Sequence, residues 1–102
     1  MLLSIYYGTE KNEYTHQPEI FGVYNLQAGL INGRNYYEKG EYGIWFNAKG
    51  HWMIGYSFEK GTVKGYAIVK KDIPFPDSTT NWERVPGWTK ANKGLGVKGI
   101  YL

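Results

Sequence analysis

Few residues in this 102-residue chain are of a type that carries out catalysis. The only histidines are His16 and His51, which lie far apart and outside any recognisable nucleophile-base motif. A zinc site needs three or four His, Cys or carboxylate ligands at short spacing, and two distant histidines in a cysteine-free chain do not supply them. The sequence therefore predicts no nucleophilic catalysis, no metal site and no cofactor.

Carboxylates and glycines offer two further kinds of chemistry. Asp72, Asp77 and Glu83 form the nearest group of acids, and glycoside hydrolysis requires a pair of carboxyl groups. These acids lie beside prolines, where carboxylates usually support turns and helix caps. Segment 94–99 is rich in glycine but does not match the spacing of a phosphate-binding loop. We therefore interpret the chain as a non-enzyme.

Aromatic side chains are the functional material that the chain holds in quantity, with 4 Trp, 10 Tyr and 4 Phe. Exposed aromatic rings stack on sugars, nucleobases and partner side chains. Most of these rings are expected in the core, and the exceptions are expected where the strand pattern breaks. The resulting candidate ligand-binding residues are Arg34, Tyr36, Tyr37, Trp82, Arg84 and Trp88. For the two tryptophans, the alternative is a structural role as lids over an open end of the core.

Length and composition indicate one domain, residues 1–102, because a chain of this size has room for a single core. Glycine (14) and proline (4) are spread along the chain, which is typical of short strands joined by tight turns. The absence of cysteine allows a reducing compartment. We predict no signal peptide and no membrane partner, because no window approaches the roughly 18 apolar residues of a membrane-spanning helix.

The net charge of +3 is unevenly distributed. Residues 1–50 hold 4 basic and 5 acidic side chains, whereas residues 51–102 hold 8 basic and 4 acidic ones. A basic half can attract nucleic acid, but lysines on turns and strand edges more often maintain solubility and block edge-to-edge pairing. Nucleic-acid binding is therefore kept as an alternative function.

The positions of apolar and turn residues predict a series of β-hairpins. The alternation around Leu3, Ile5 and Tyr7 predicts a first strand that ends at Gly8, and strand character resumes at residues 20–24. Asn32-Gly33 predicts a type I′ turn, with arms at residues 30–31 and 35–37. Further strands are predicted at residues 42–46, 52–58 and 66–69.

The hairpin around residues 47–50 is expected to have a loop of two or four residues. Either length places the same residues on the core face, namely Trp45, Trp52, Ile54, Tyr56 and Phe58. Beyond Pro74 and Pro76, we expect irregular backbone through Trp82 and Trp88, followed by a closing edge strand around residues 97–101. The predicted fold is all-β, a single small antiparallel sheet of consecutive hairpins with little helix, arranged as a meander, a partly closed barrel or a sandwich.

Parts of residues 20–84 resemble a small Tyr/Trp-rich β repeat found in multidomain, often extracellular, proteins of invertebrates and protists. The similarity lies in the order and spacing of Asn32-Gly33-Arg34-Asn35-Tyr36-Tyr37, Trp52-Met53-Ile54-Gly55, Gly65-Tyr66-Ala67, the prolines and Trp82. The resemblance implies a binding or scaffolding module and transfers no catalytic residue. We therefore expect a module that recognises a protein or carbohydrate partner through exposed aromatics, with a structural repeat or oligomerisation domain as a further alternative.

Overall fold

The computed structural model of the chain describes residues 2–7, 20–65, 67–69, 72–76, 79–84 and 91–100. These residues form eight strands and one short 3-10 helix, Ser57–Glu59. The strands are β1 (Leu2–Tyr7), β2 (Gly22–Leu26), β3 (Tyr37–Lys39), β4 (Tyr42–Phe46), β5 (Trp52–Tyr56), β6 (Ala67–Val69), β7 (Thr79–Arg84) and β8 (Ala91–Ile100). The all-β prediction is confirmed, and no helix in the described ranges is long and apolar enough to cross a membrane.

The strands form a closed antiparallel barrel in which each strand pairs with its neighbours in sequence. β8 also pairs with β1, through Leu2↔Ile100 and Ile5↔Val97 among others, and this pairing closes the barrel. The predicted meander of hairpins is confirmed. The expected edge strand at residues 97–101 is corrected, because β8 has a partner on each side, β1 and β7. The pairing of β1 with β8 provides hydrogen-bond partners for backbone N–H and C=O groups that an open sheet edge would leave exposed.

The barrel interior is filled by large side chains, as expected for a barrel of only eight strands. Ile44 lies opposite Ile54, and Phe46 lies opposite Trp52, with the last two rings in an edge-to-face contact at 5.4 Å between centroids. The described core consists of Leu3, Tyr24, Tyr37, Ile44, Phe46, Trp52, Ile54, Val69 and Val97. The Tyr24 hydroxyl donates to the Ile20 carbonyl at 2.8 Å, and burial raises the pKa of this phenol.

The loop between β4 and β5 differs in length from the prediction. As a result, Trp45 lies on the outer face of the barrel and not on the core face. Three residues, 48–50, separate Asn47 from His51, and the Asn47 amide donates to the His51 carbonyl at 2.7 Å. Gly50 adopts φ 81°, the left-handed conformation that ends such three-residue loops. An odd loop length shifts the pairing by one residue, so Trp45 lies opposite Met53 and on the other face from Trp52.

Trp45 and Met53 are nevertheless fully buried, because the segment 57–65 crosses the outer face of the barrel above them. The Trp45 Nε1 donates to the Thr62 carbonyl at 2.9 Å. Gly65 approaches so closely that a Cβ at this position would lie 3.0 Å from the Met53 side chain. The outer face of β4 and β5 therefore carries a second, smaller apolar layer.

The C-terminal part of the chain is more regular than predicted. Residues 79–84 were expected to be irregular but form β7, which pairs with β6 and β8 and has a register shift between Thr80 and Trp82. The prolines at 74 and 76 do interrupt the sheet, since they lie between β6 and β7. After the prolines, β7 pairs on both sides, which satisfies backbone groups that an unpaired segment would leave open. Trp88 lies outside the described residues.

The type I′ turn at Asn32-Gly33 is confirmed. Asn32 has φ 51° and Gly33 has φ 83°, and Ile31 and Arg34 exchange two backbone hydrogen bonds of 2.9 and 3.0 Å. The arms are shorter than predicted, since Ile31↔Arg34 is an isolated bridge. The Asn32 side chain donates to the carbonyls of Phe46 and Gly61, so the turn also fastens the segment that covers Trp45.

We expect Gly33→Val to lower the free energy of unfolding by about 1–3 kcal/mol, because a β-branched residue is strained at positive φ. A Cβ at Gly33 would meet no atom within 4 Å, so the loss would come from the backbone alone. Urea titration measures the change. Gly33→Asn is the matched control, since asparagine tolerates this conformation, and equal losses for both variants would contradict the explanation.

Candidate functional site

Tyr37, one of the candidate ligand-binding residues, is a core residue. Its side chain has 0% exposure and lies on the interior face opposite Ile44. Of the adjacent pair, Tyr36 is the residue that faces away from the interior. Tyr37 is therefore corrected from a ligand-binding residue to a structural one.

Arg34 is held by contacts within the chain. Its guanidinium carbon lies 4.2 Å from the centroid of the Phe46 ring, and its Nη2 donates to Asp72 Oδ1 at 2.8 Å. Its Nη1 donates to the Ile73 carbonyl at 2.7 Å, and the same carbonyl accepts a hydrogen bond from Trp52 Nε1 at 2.7 Å. Arg34 thus fastens segment 72–76 across the end of the barrel where β4 ends and β5 begins, which we call the Trp52 end.

Tyr36 is half-buried on the outer surface, and a lysine covers its ring. Lys60 Nζ lies 5.4 Å from the ring centroid and donates to Glu38 Oε2 at 3.0 Å. The hydrogen bond to Glu38 raises the pKa of Lys60. One face of the Tyr36 ring is therefore already in contact with a cation.

The remaining three candidates stay predictions. In β7, Trp82 pairs with Asn92, and Arg84 pairs with Ala67. The description of β7 covers its backbone pairing, and Trp88 lies beyond the described ranges.

A different set of aromatic residues forms an exposed surface at the opposite end of the barrel, where β4 begins and β5 ends. We call this set, Tyr42, Tyr56 and Phe58, the aromatic ladder. The Tyr42 and Tyr56 rings stack at 5.2 Å between centroids with 25° between their planes, and the Tyr56 and Phe58 rings stack at 5.5 Å and 17°. Tyr56 is 38% exposed and Phe58 is 80% exposed, so the ladder ends in a ring that is largely in solvent.

Tyr56 and Phe58, which the strand pattern predicts on the core face, are instead exposed. Tyr56 is the last residue of β5, and the 3-10 helix Ser57–Glu59 begins directly after it. The helix ends the alternation of the strand, so Phe58 stacks on Tyr56 at the rim and does not enter the interior. The polar neighbours in Ser57-Phe58-Glu59-Lys60-Gly61 are the sequence signal that indicates a turn here.

The described residues contain no group of three or more His, Cys, Asp or Glu side chains that could hold a metal ion. No family model matches the chain, and no similar protein is found among curated proteins or solved structures. The candidate site is therefore defined by its geometry, and the aromatic ladder is its centre.

Proposed function

We propose that this chain is a non-enzymatic binding module that contacts a protein or carbohydrate partner through the aromatic ladder. The observation that carries the proposal is the 80% exposure of Phe58 at the end of a continuous ring stack. Burying such a ring against a partner removes apolar surface from water at low entropic cost, because an aromatic side chain has only two rotatable bonds.

The stack supports the proposal because it holds Phe58 in place before a partner arrives. Tyr42 and Tyr56 lie opposite each other on paired strands, so the barrel itself positions the first two rings. The backbone of the helix is held to the turn that precedes β4 by a 2.7 Å hydrogen bond from the Ser57 amide to the Glu41 carbonyl. A preorganised ring loses less entropy on binding than a mobile one.

The test uses labelled full chain on a glycan array and on a peptide array, followed by titration of the ligands that are found. Phe58→Ala is expected to weaken binding about tenfold or more, as a central aromatic contact does. Its free energy of unfolding should change by less than about 1 kcal/mol, because the side chain is exposed.

Phe75→Ala is the matched control, since Phe75 is also exposed, at 43%, but belongs to segment 72–76 at the Trp52 end. We expect this variant to bind like the wild type. A ligand that binds equally to wild type, Phe58→Ala and Tyr56→Ala would contradict the proposed site.

A further inference from the structure

Two acidic residues are next to members of the aromatic ladder in the backbone. Glu41 is exposed and directly precedes Tyr42, and its carbonyl accepts the Ser57 amide at 2.7 Å, which places its backbone beside the residue before Phe58. Glu59 directly follows Phe58, and its carbonyl accepts two hydrogen bonds from Thr62, at 2.7 and 3.1 Å. Neither carboxylate has a hydrogen-bond or ion-pair partner among the described residues.

The lysines nearest in sequence are positioned elsewhere. Lys60 donates to Glu38 at 3.0 Å and covers Tyr36. The Lys39 stem crosses Gly22, where a Cβ would lie 2.6 Å from Lys39 Cε, and Lys39 pairs with Tyr42 at the other end of the ladder. The Phe58 end therefore combines an exposed ring with two acidic residues that are close to it in the backbone, in a chain whose net charge is +3.

An aromatic face next to carboxylates attracts a cation, because the ring presents negative potential and the carboxylates add to it. The same chain shows this combination internally. The Arg34 guanidinium lies 4.2 Å from the Phe46 ring centroid and is paired with Asp72 at 2.8 Å. A planar guanidinium both stacks on a ring and pairs with a carboxylate, which makes arginine better suited to such a surface than lysine.

We propose that the Phe58 end of the aromatic ladder binds an arginine side chain of a protein partner, with the guanidinium on the Phe58 ring and with Glu41 and Glu59 supplying negative charge. This inference rests on the proposed function and specifies its partner as a protein segment that carries an exposed arginine. A carbohydrate partner is the competing outcome, because a neutral sugar would stack on the same ring without depending on either carboxylate.

The test titrates the full chain with the peptide Gly-Gly-Arg-Gly-Gly and with the same peptide carrying citrulline, which keeps the shape of arginine and removes its charge. The ring signals of Tyr56 and Phe58 are followed by NMR. We expect saturable shifts with the arginine peptide and about two- to fivefold weaker binding of the citrulline peptide, the size of a surface cation-ring interaction. Raising the salt concentration should weaken the binding of the arginine peptide and leave the binding of the citrulline peptide unchanged.

Glu59→Gln and Asp72→Asn remove the same charge at opposite ends of the barrel. We expect Glu59→Gln to bring the affinity for the arginine peptide close to that for the citrulline peptide, and Asp72→Asn to leave it unchanged. Equal binding of the two peptides, equal effects of the two variants, or no shift of the Phe58 ring would overturn this inference. Those results would leave the proposed function intact if an array ligand still required Phe58, whereas an array ligand insensitive to Phe58→Ala would contradict the proposed function itself.

Discussion

Replacing Trp52 with alanine is expected to lower the free energy of unfolding by about 3–5 kcal/mol, as the loss of a fully buried aromatic residue does. Trp52 has 0% exposure and contacts Phe46 edge-to-face inside the barrel. Its Nε1 also donates to the Ile73 carbonyl, which holds segment 72–76 over the end of the barrel. Because small domains have total stabilities of about 5–15 kcal/mol, this loss would leave little of the folded population in mild urea.

Two further variants separate the causes of this loss. Trp52→Phe retains most of the apolar volume and removes the hydrogen bond, so we expect a smaller loss, about 1–2 kcal/mol. His51→Ala, at the adjacent half-buried position, should cost less than about 1 kcal/mol. Urea titration of all three variants checks the order. If His51→Ala cost as much as Trp52→Ala, the two faces of β5 would be assigned incorrectly.

We expect Tyr37→Ala to cost about 3–5 kcal/mol for the same reason, because this ring is also completely buried. Tyr37 lies on the short strand β3, opposite both Leu26 and Ile44, so its removal opens a cavity between three strands. The measurement is the urea midpoint together with the fluorescence of the core tryptophans. A large loss of stability identifies Tyr37 as part of the core.

Tyr36→Ala is the control for this prediction, since it removes an identical side chain from the next position. Tyr36 is half-buried and contacts Lys60 on the outer surface, so we expect a loss of about 1 kcal/mol or less. Similar losses for the two variants would show that the tyrosine pair is not divided between the interior and the surface.

The sequence by itself determined the fold class, most strand positions and the main turns. Alternation around Leu3 and the Asn-Gly pair at 32–33 are local signals, since strand periodicity and positive φ depend on adjacent residues. That one of Tyr36 and Tyr37 faces outward also follows from the sequence, because successive residues of a strand point to opposite sides. Which of the two does so follows from the pairing of Tyr37 with Ile44.

Tertiary structure determined which strand residues face the interior, whether the sheet closes, and where the exposed rings lie. Because three residues separate Asn47 from His51, Trp45 lies on the outer face and not on the predicted core face. No local signal in the sequence reliably distinguishes a three-residue loop from one of two or four residues. Closure depends on pairing between β1 and β8, which lie at opposite ends of the described chain. Phe58 is exposed because the helix after β5 turns it onto Tyr56. The third ring, Tyr42, reaches Tyr56 only because β4 and β5 pair.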